Sequence, residues 1–364
     1  MKYMLDHKHY LPILTAKMGE LRAIRELASD VKSCLTPLLE VPPIDWDYEN
    51  EAPAKTLDEQ IASVADNLQK HWGSQRAYLD AYPVANEGTT ASGLHPLSHI
   101  FNQARQLQLQ LVPVTGLGRD PAYQAATHEI IQADQRGMCL RVLASEIAAT
   151  PNLPNQIDGI LANFNVRPEQ VDLVIDLGPM NPQFEAQYVM VIPAYVNALP
   201  YLAQWRSLTV SGSAFPTDLR QIATGTTQAI PRTEWNVWTS LIAAGQMRRR
   251  PAFSDYAISN PEYASLDFRI IKMTANIRYT HDVEWIVVRG RVITKGQPSQ
   301  YPGLARILRA LPEYSGRDFS AGDRYIDDCA TGADGPGSAT TWRQVGTNHH
   351  LTFVVRQIAN HPGL

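Results

Sequence analysis

Four carboxylates in this chain, Glu40, Asp80, Asp176 and Asp255, share a position: each ends, or nearly ends, a short apolar run. Acids gathered at one rim can hold a divalent cation. They can also divide into a general acid and a general base when their surroundings drive their pKa values apart. Arg141 and Lys17 close two further runs as candidate ligand-binding cations, and Thr115 closes another. Ser211 and Ser213 flank a glycine in LTVSGSAFP (208–216), with a helix expected to begin near Thr217. Small residues before a helix N-terminus let backbone N–H groups approach a phosphate. Arg278 sits beside Tyr279 in a stretch that also holds Trp285, Arg289 and Arg291, and such interleaving suits stacking and phosphate contact. In TTWRQVGTNHHLTFVVRQIANH (340–361) the predicted helix turns polar toward its start. That places Asn348 and His349 as ligand-binding candidates and His350 as an acid.

Each of these has a plain structural alternative. Strand-end acids pair with nearby cations, turn serines cap helices, and a histidine can be a satisfied core residue. Ser320 and Asp323 read as a capping pair for a helix over 321–331. His349 and His350 lack the i, i+4 spacing of a helical metal pair. Neither H-E-x-x-H, a Walker loop, G-x-S-x-G nor a Cys–His nucleophile pattern is present, so a metal is unspecified and the reaction classes with short signatures are unsupported.

What must position these residues is an alternation of strands and helices. The runs fall at 10–17, 35–41, 76–82, 109–115, 137–143, 170–176, 206–212 and 251–257, continuous and rich in branched side chains. That is how strands buried on both faces read. Amphipathic segments lie between them, as in Leu21, Ile24, Leu27 and Val31, or Leu57, Ile61, Val64 and Leu68. Eight such units predict an α/β fold, a TIM-like (β/α)8 barrel, over 1–267. No G-x-G-x-x-G follows the first strand, which removes the main argument for a dinucleotide-binding sheet. Residues 268–364 read as a hairpin (275–280 with 284–293) and helices over 301–311, 321–331 and 340–360, packed on the barrel as one integrated domain.

The 364 residues are 44% hydrophobic and 19% charged with a net charge of −4, a globular composition and not a disordered one. Residues 268–364 carry 12 basic and 8 acidic side chains, against 20 and 28 before them. Nucleic acid is the weaker partner on that basis, because an overall pI near 6.2 lacks the usual electrostatic footprint. Cys34, Cys139 and Cys329 are too few for a disulfide framework. The start MKYMLDHKHY has no apolar signal core, and the greasiest stretch, 188–205, is broken by Pro193 and Pro200. The expectation is a cytoplasmic protein without a membrane partner.

Several blocks together resemble the bacterial and phage beta protein family: YLPILTAKMGELRAIREL, TPLLEVPPIDWD, LTVSGSAFP, IPRTEWNVW, FSDYAISNP, ANIRYTHDVEWIVVRGR, FSAGDRYIDDCATG and TTWRQVGTNHHLTFVVRQI. The resemblance runs from about residue 10 to 360. It implies a role in phage–host conflict, in a cassette beside a toxic gene and a small regulator, and it brings no reaction or catalytic residues with it. Two functions follow. One is an accessory component of antiphage defence that binds a protein partner from a neighbouring gene, or a phage component, at the barrel mouth. The alternative is a metal-dependent hydrolase of phosphoesters, nucleotides or nucleic acid, with Glu40, Asp80, Asp176 and Asp255 supplying metal or base and Arg141, Arg278 and the serine turn holding phosphate.

Overall fold

Eight short parallel strands carry the apolar runs, as the sequence predicts. They are β1 (Ile13–Thr15), β2 (Leu38–Glu40), β3 (Ala77–Asp80), β4 (Leu111–Thr115), β5 (Met138–Leu143), β6 (Val171–Pro179), β7 (Ser207–Ser213) and β9 (Ala252–Asp255). They lie side by side in that order. The computed structural model describes residues 6–149, 152–262, 272–296 and 299–364. Across the seam between first and last strand, the Leu11 N–H donates to the Phe253 carbonyl at 3.1 Å, so the sheet curls into a nearly closed TIM-like barrel.

Strand side chains alternate between two environments. Leu11, Ile13, Leu38, Tyr78, Val112, Val114, Cys139, Val174 and Tyr256 point inward and form the barrel's own apolar core. Their neighbours Leu14, Leu39, Leu79, Leu140, Leu173 and Phe253 point outward and pack under the helices. Those helices are α1 (Met18–Arg25), α2 (Val64–His71), α3 (Pro96–Gln106), α4 (Pro121–Asp134), α5 (Leu153–Phe164), α6 (Glu185–Asn197) and α7 (Thr233–Ala244). Their starts follow capping chemistry: at α4 the Asp120 carboxylate accepts from the Ala122 and Tyr123 N–H groups, and Pro121 needs no partner.

A small antiparallel sheet stands beside the barrel. Its strands are β8 (Thr226–Pro231), β10 (Thr274–His281) and β11 (Glu284–Val292), in the order β8-β11-β10. The predicted hairpin is β10–β11. Sequence reading missed β8, whose exposed, polar TTQAIP has neither apolar alternation nor a branched run. The helix expected near Thr217 does not form, and 214–225 is a run of turns leading into β8. Three helices follow: α8 (Tyr301–Arg309), α9 (Ala321–Thr331) and α10 (Ala339–Ala359).

Helix α10 takes the place of the eighth barrel helix. Its Leu351, Val354, Val355 and Ile358 join one buried cluster with Leu21 and Ile24 of α1 and Trp235 and Trp238 of α7. Each such side chain contributes roughly 1.5–3 kcal/mol by leaving water, so an acid at Val354 would strip that face from the barrel. Where α10 crosses the small sheet, a Cβ on Gly346 would sit 2.8 Å from the Arg278 carbonyl oxygen, a gap only glycine fits.

Candidate functional site

The inward-pointing parity that fills the barrel core also aims four polar residues at one end of it. Glu40 follows Leu38 by two, Asp80 follows Tyr78, Arg141 follows Cys139, and Asp176 follows Val174. Strand register puts Glu40 directly beside Asp80. They meet around the Arg141 guanidinium. Its Nη1 donates to Glu40 Oε1 at 2.7 Å and to Asp80 Oδ2 at 3.3 Å, its Nε to Asp176 Oδ2 at 2.8 Å, and its Nη2 to the Tyr256 hydroxyl at 2.6 Å. Tyr256 in turn donates to Asp176 at 2.5 Å.

A second guanidinium closes the group from above. Arg119 donates to Asp80 Oδ2 at 2.8 Å and lies 3.8 Å over the Tyr82 ring. Tyr123 donates to Asp80 Oδ1 at 3.2 Å. The loop after β4 reaches this position because Gly116 lies against β5, where a Cβ would meet the Arg141 carbonyl oxygen at 2.8 Å. Glu146 pins the same loop by accepting from the Gly118 N–H.

These residues line a recess of about 250 Å³ bounded by Glu40, Asp80, Tyr82, Arg119, Arg141 and Glu146. Asp80 and Asp176 are buried and fully engaged, whereas the Glu40 side chain keeps 21% of its surface exposed. Arg141 holds one Glu40 oxygen; among the described residues nothing donates to the other. Burial pushes the Glu40 carboxyl up, helped by the neighbouring charges of Asp80 and Asp176, and Arg141 works against the rise. The rim thus offers one carboxyl shifted toward the protonated form, with an oxygen open to the recess. Among the described residues no group of three or more His, Cys, Asp or Glu is arranged to hold a metal ion. A cation placed between Glu40, Asp80 and Asp176 would have to displace Arg141.

The other candidates lie elsewhere. Asp255 has the outward parity, next to inward Tyr256, and faces α10 and not the mouth. It is sealed there: His350 Nε2 is 2.9 Å from its Oδ2, Tyr10 donates to its Oδ1, and the Ala257 N–H does so at 3.0 Å. Burial pushes Asp255 up, but His350, Arg232 and Tyr10 together hold it below the ordinary carboxylate value. Burial pulls His350 down against the pull of Asp255, and its Nδ1 lies 2.7 Å from the Thr280 hydroxyl. His349 is likewise enclosed, 2.8 Å from both Asp323 Oδ2 and the Thr280 carbonyl and stacked on Tyr279. Asn348 ties α10 to α1 through the Ala23 carbonyl and to α9 through the Gly322 N–H. These three residues are seams between elements, away from the mouth.

Ser211 is buried and bonded to Ser254, and Ser213 donates to the Ser259 carbonyl, so neither hydroxyl is open to a ligand. Thr115 is bonded to Gln124. Asp327, on the same helix as Asp323, pairs with Arg309 and Arg317. Lys17 and Arg278 line a second cleft, described below. Sequence reasoning missed Arg119, Tyr82, Tyr123, Tyr256 and Glu146. Tyr256 was findable, because period-2 counting from Asp255 puts exactly one of the two adjacent residues inside; Arg119 rides on a glycine-bounded loop that no periodicity marks.

Compared with known families, residues 10–356 match the model described as Beta protein. The chain belongs to the Beta protein family. Family membership covers nearly every element above, including the three-stranded sheet and α10. No curated protein is similar to the chain in sequence. Among solved structures, the Bacillus cereus spore cortex-lytic enzyme SleL is similar at a TM-score of 0.30 with 12% identity, covering 93% of this chain and 74% of that one. That likeness is too slight to bear on fold or function, and the barrel rests on its own strand order. No helix among the described residues is long and apolar enough to cross a membrane.

Proposed function

We propose that the protein is a binding component of phage–host conflict whose barrel mouth receives a protein partner or a phage-derived ligand. The setting comes from the family resemblance; the place comes from the mouth. One observation supports binding over metal-dependent hydrolysis: Arg141 already occupies the space between the three carboxylates that a metal would need, in ion pairs with all of them. What remains open to a ligand is the rim, with Tyr82, the Arg119 face, Leu143 and one oxygen of Glu40 around a preformed recess. Concave sites with a few fixed polar groups are the usual form of a small recognition site.

A second reading, an acid/base enzyme that uses no metal at this rim, is favoured by Glu40 alone. Its raised pKa and open oxygen suit proton transfer to a bound group. Plaque assays on cells carrying the gene in its native neighbourhood separate the two. Under the binding reading, Tyr82→Ala lowers protection by about tenfold or more, the scale of one lost rim anchor, while Glu40→Gln, which preserves shape, retains it. Loss of protection in Glu40→Gln with an unchanged melting temperature would move the assignment to the enzyme. Full protection in both variants would end the claim that the mouth matters.

A further inference from the structure

The barrel's C-terminal face carries a second and larger cleft, of about 560 Å³, on the side away from Arg119. It opens over β1 and the loops after β7 and β9, and its far wall is Arg278 of β10 with the first turn of α10. Lining residues that bear on chemistry are Lys17, Glu20, Ser259, Arg278, Thr340 and Arg343.

Two guanidinium groups converge there on one carbonyl. Arg278 Nη1 donates to the Ile258 oxygen at 2.7 Å and Arg343 Nη1 to the same oxygen at 3.3 Å. Arg343 also donates to Ser259 Oγ at 2.6 Å. Neither has a close carboxylate: Arg343 stands 4.0 Å from Glu20, and Arg278 has no ion pair among the described residues. Arg278 is held in place by Asn276 and lies 4.6 Å over the Phe215 ring, and among the described residues its Nη2 has no hydrogen-bond partner. Burial, then the like charge of Arg343, both work against the Arg278 cation. Paired arginines whose nearest carboxylate among the described residues stands at 4.0 Å are a strong recognition geometry for oxyanions.

Two independent features point the same way. The first turn of the 21-residue α10 lines the cleft through Ala339 and Thr340, bringing the positive end of the helix dipole to it. Glu20 contributes a side chain only 6% exposed whose Oε2 has no hydrogen-bond partner among the described residues, a polar atom left for a ligand. Burial pushes the Glu20 carboxyl up, against the pull of Arg343 and of its hydrogen bonds with Thr15 and Ser259. Lys17, whose Nζ stands 3.9 Å from Asp45, adds a cation at the outer edge.

We infer that this cleft binds a small phosphomonoester, its phosphoryl oxygens on Arg278, Arg343 and the start of α10 and a hydroxyl or amine of the ligand on Glu20. The site is distinct from the recess around Arg141 and does not rest on the function proposed for it. Loops after the seventh and eighth strands are where barrels of this class frequently hold phosphate.

Isothermal titration of the full chain with ribose 5-phosphate, AMP, inorganic phosphate and unphosphorylated ribose tests this. The phosphorylated sugars should bind, inorganic phosphate more weakly, and ribose not at all. Binding of inorganic phosphate as tightly as the sugars would overturn the role given to Glu20. Arg343→Gln should weaken ribose 5-phosphate binding about tenfold or more, as expected for a lost charge-assisted bond, and Tyr82→Ala at the other recess should leave it unchanged. If Arg343→Gln fails to fold, Lys17→Ala, at a half-exposed position, carries the test with a smaller loss. No binding of any phosphate probe at millimolar concentration by the folded wild-type chain overturns the inference. So does equal binding by wild type, Arg343→Gln and Lys17→Ala.

Discussion

The two ends of the barrel carry the same chemistry in different states of completion. On β6, Asp172 and Asp176 are four residues apart and both point inward. At the lower end Asp172 is saturated: Arg206 and Ser207 donate to Oδ1 at 2.9 and 2.8 Å, and Arg206, Tyr78 and Arg76 to Oδ2 at 2.6, 2.7 and 2.9 Å. At the upper end Asp176, Arg141 and Tyr256 make the matching acid–guanidinium–tyrosine set, but Glu40 and Arg119 extend it to a recess. A set sealed on all sides fixes the barrel's shape. One with an acceptor left over can also meet a ligand.

That contrast breaks first at Asp172. Asp172→Ala leaves two guanidinium groups buried without their carboxylate, and urea unfolding should show a loss of about 3–5 kcal/mol. A change below about 1 kcal/mol would mean that the lower set is not a structural lock. Next comes the seam beneath α10. Asp323→Asn weakens bonds from Ser320, Tyr279 and His349 at once and should cost about 1.5–3 kcal/mol in the same measurement, the worth of hydrogen bonds to a charged group.

The smallest effect, and the sharpest for the comparison, is in the pH dependence. Burial pushes Asp172 up, but Arg206 and Arg76 outweigh it and hold the folded value below the ordinary 3.8. Its stabilisation is therefore complete above that value and is lost as pH falls through the depressed one. Glu40 runs the other way. Its folded value lies above the ordinary 4.5, so the folded state binds the extra proton, and this contribution declines as pH rises from 4.5 through the raised value. Glu40→Gln should differ from wild type by less than about 1 kcal/mol near the bottom of that window and gain on it as pH rises. Parallel stability curves from pH 4 to 8 would show that Glu40 is not the strained member of the mouth.

Most of the barrel was legible because its signal is local. A strand buried on both faces needs a continuous apolar run, and all eight runs became strands in chain order. Grouping Glu40, Asp80, Arg141 and Asp176 was legible for the same reason, since closure brings strand ends together. What failed was parity. Asp255 also ends a strand, yet it points into the helix layer, and only counting alternate residues through Phe253 and Tyr256 separates it from the mouth. His349, His350 and Asn348 misled because a polar stretch on an otherwise apolar helix looks like a site, and in the structure it falls at the middle of α10. In this fold it is how α10 satisfies three different neighbours. Strand β8 was silent because its stability comes from edge pairing with β11, which no periodicity of its own records.

The packing of α10 on α1 has a consequence for assembly. Asn348 donates to the Ala23 carbonyl across 325 positions of chain, so α1 has its proper cover only when a helix made some three hundred residues later arrives. Contacts so distant in sequence form slowly, because the intervening loop must be closed before they return any stability. Until then the inner face of α1 is a greasy surface awaiting its lid. A chain cut short anywhere before α10 would forfeit the first turn of the ring along with the last, and would be expected to aggregate rather than persist as a smaller barrel.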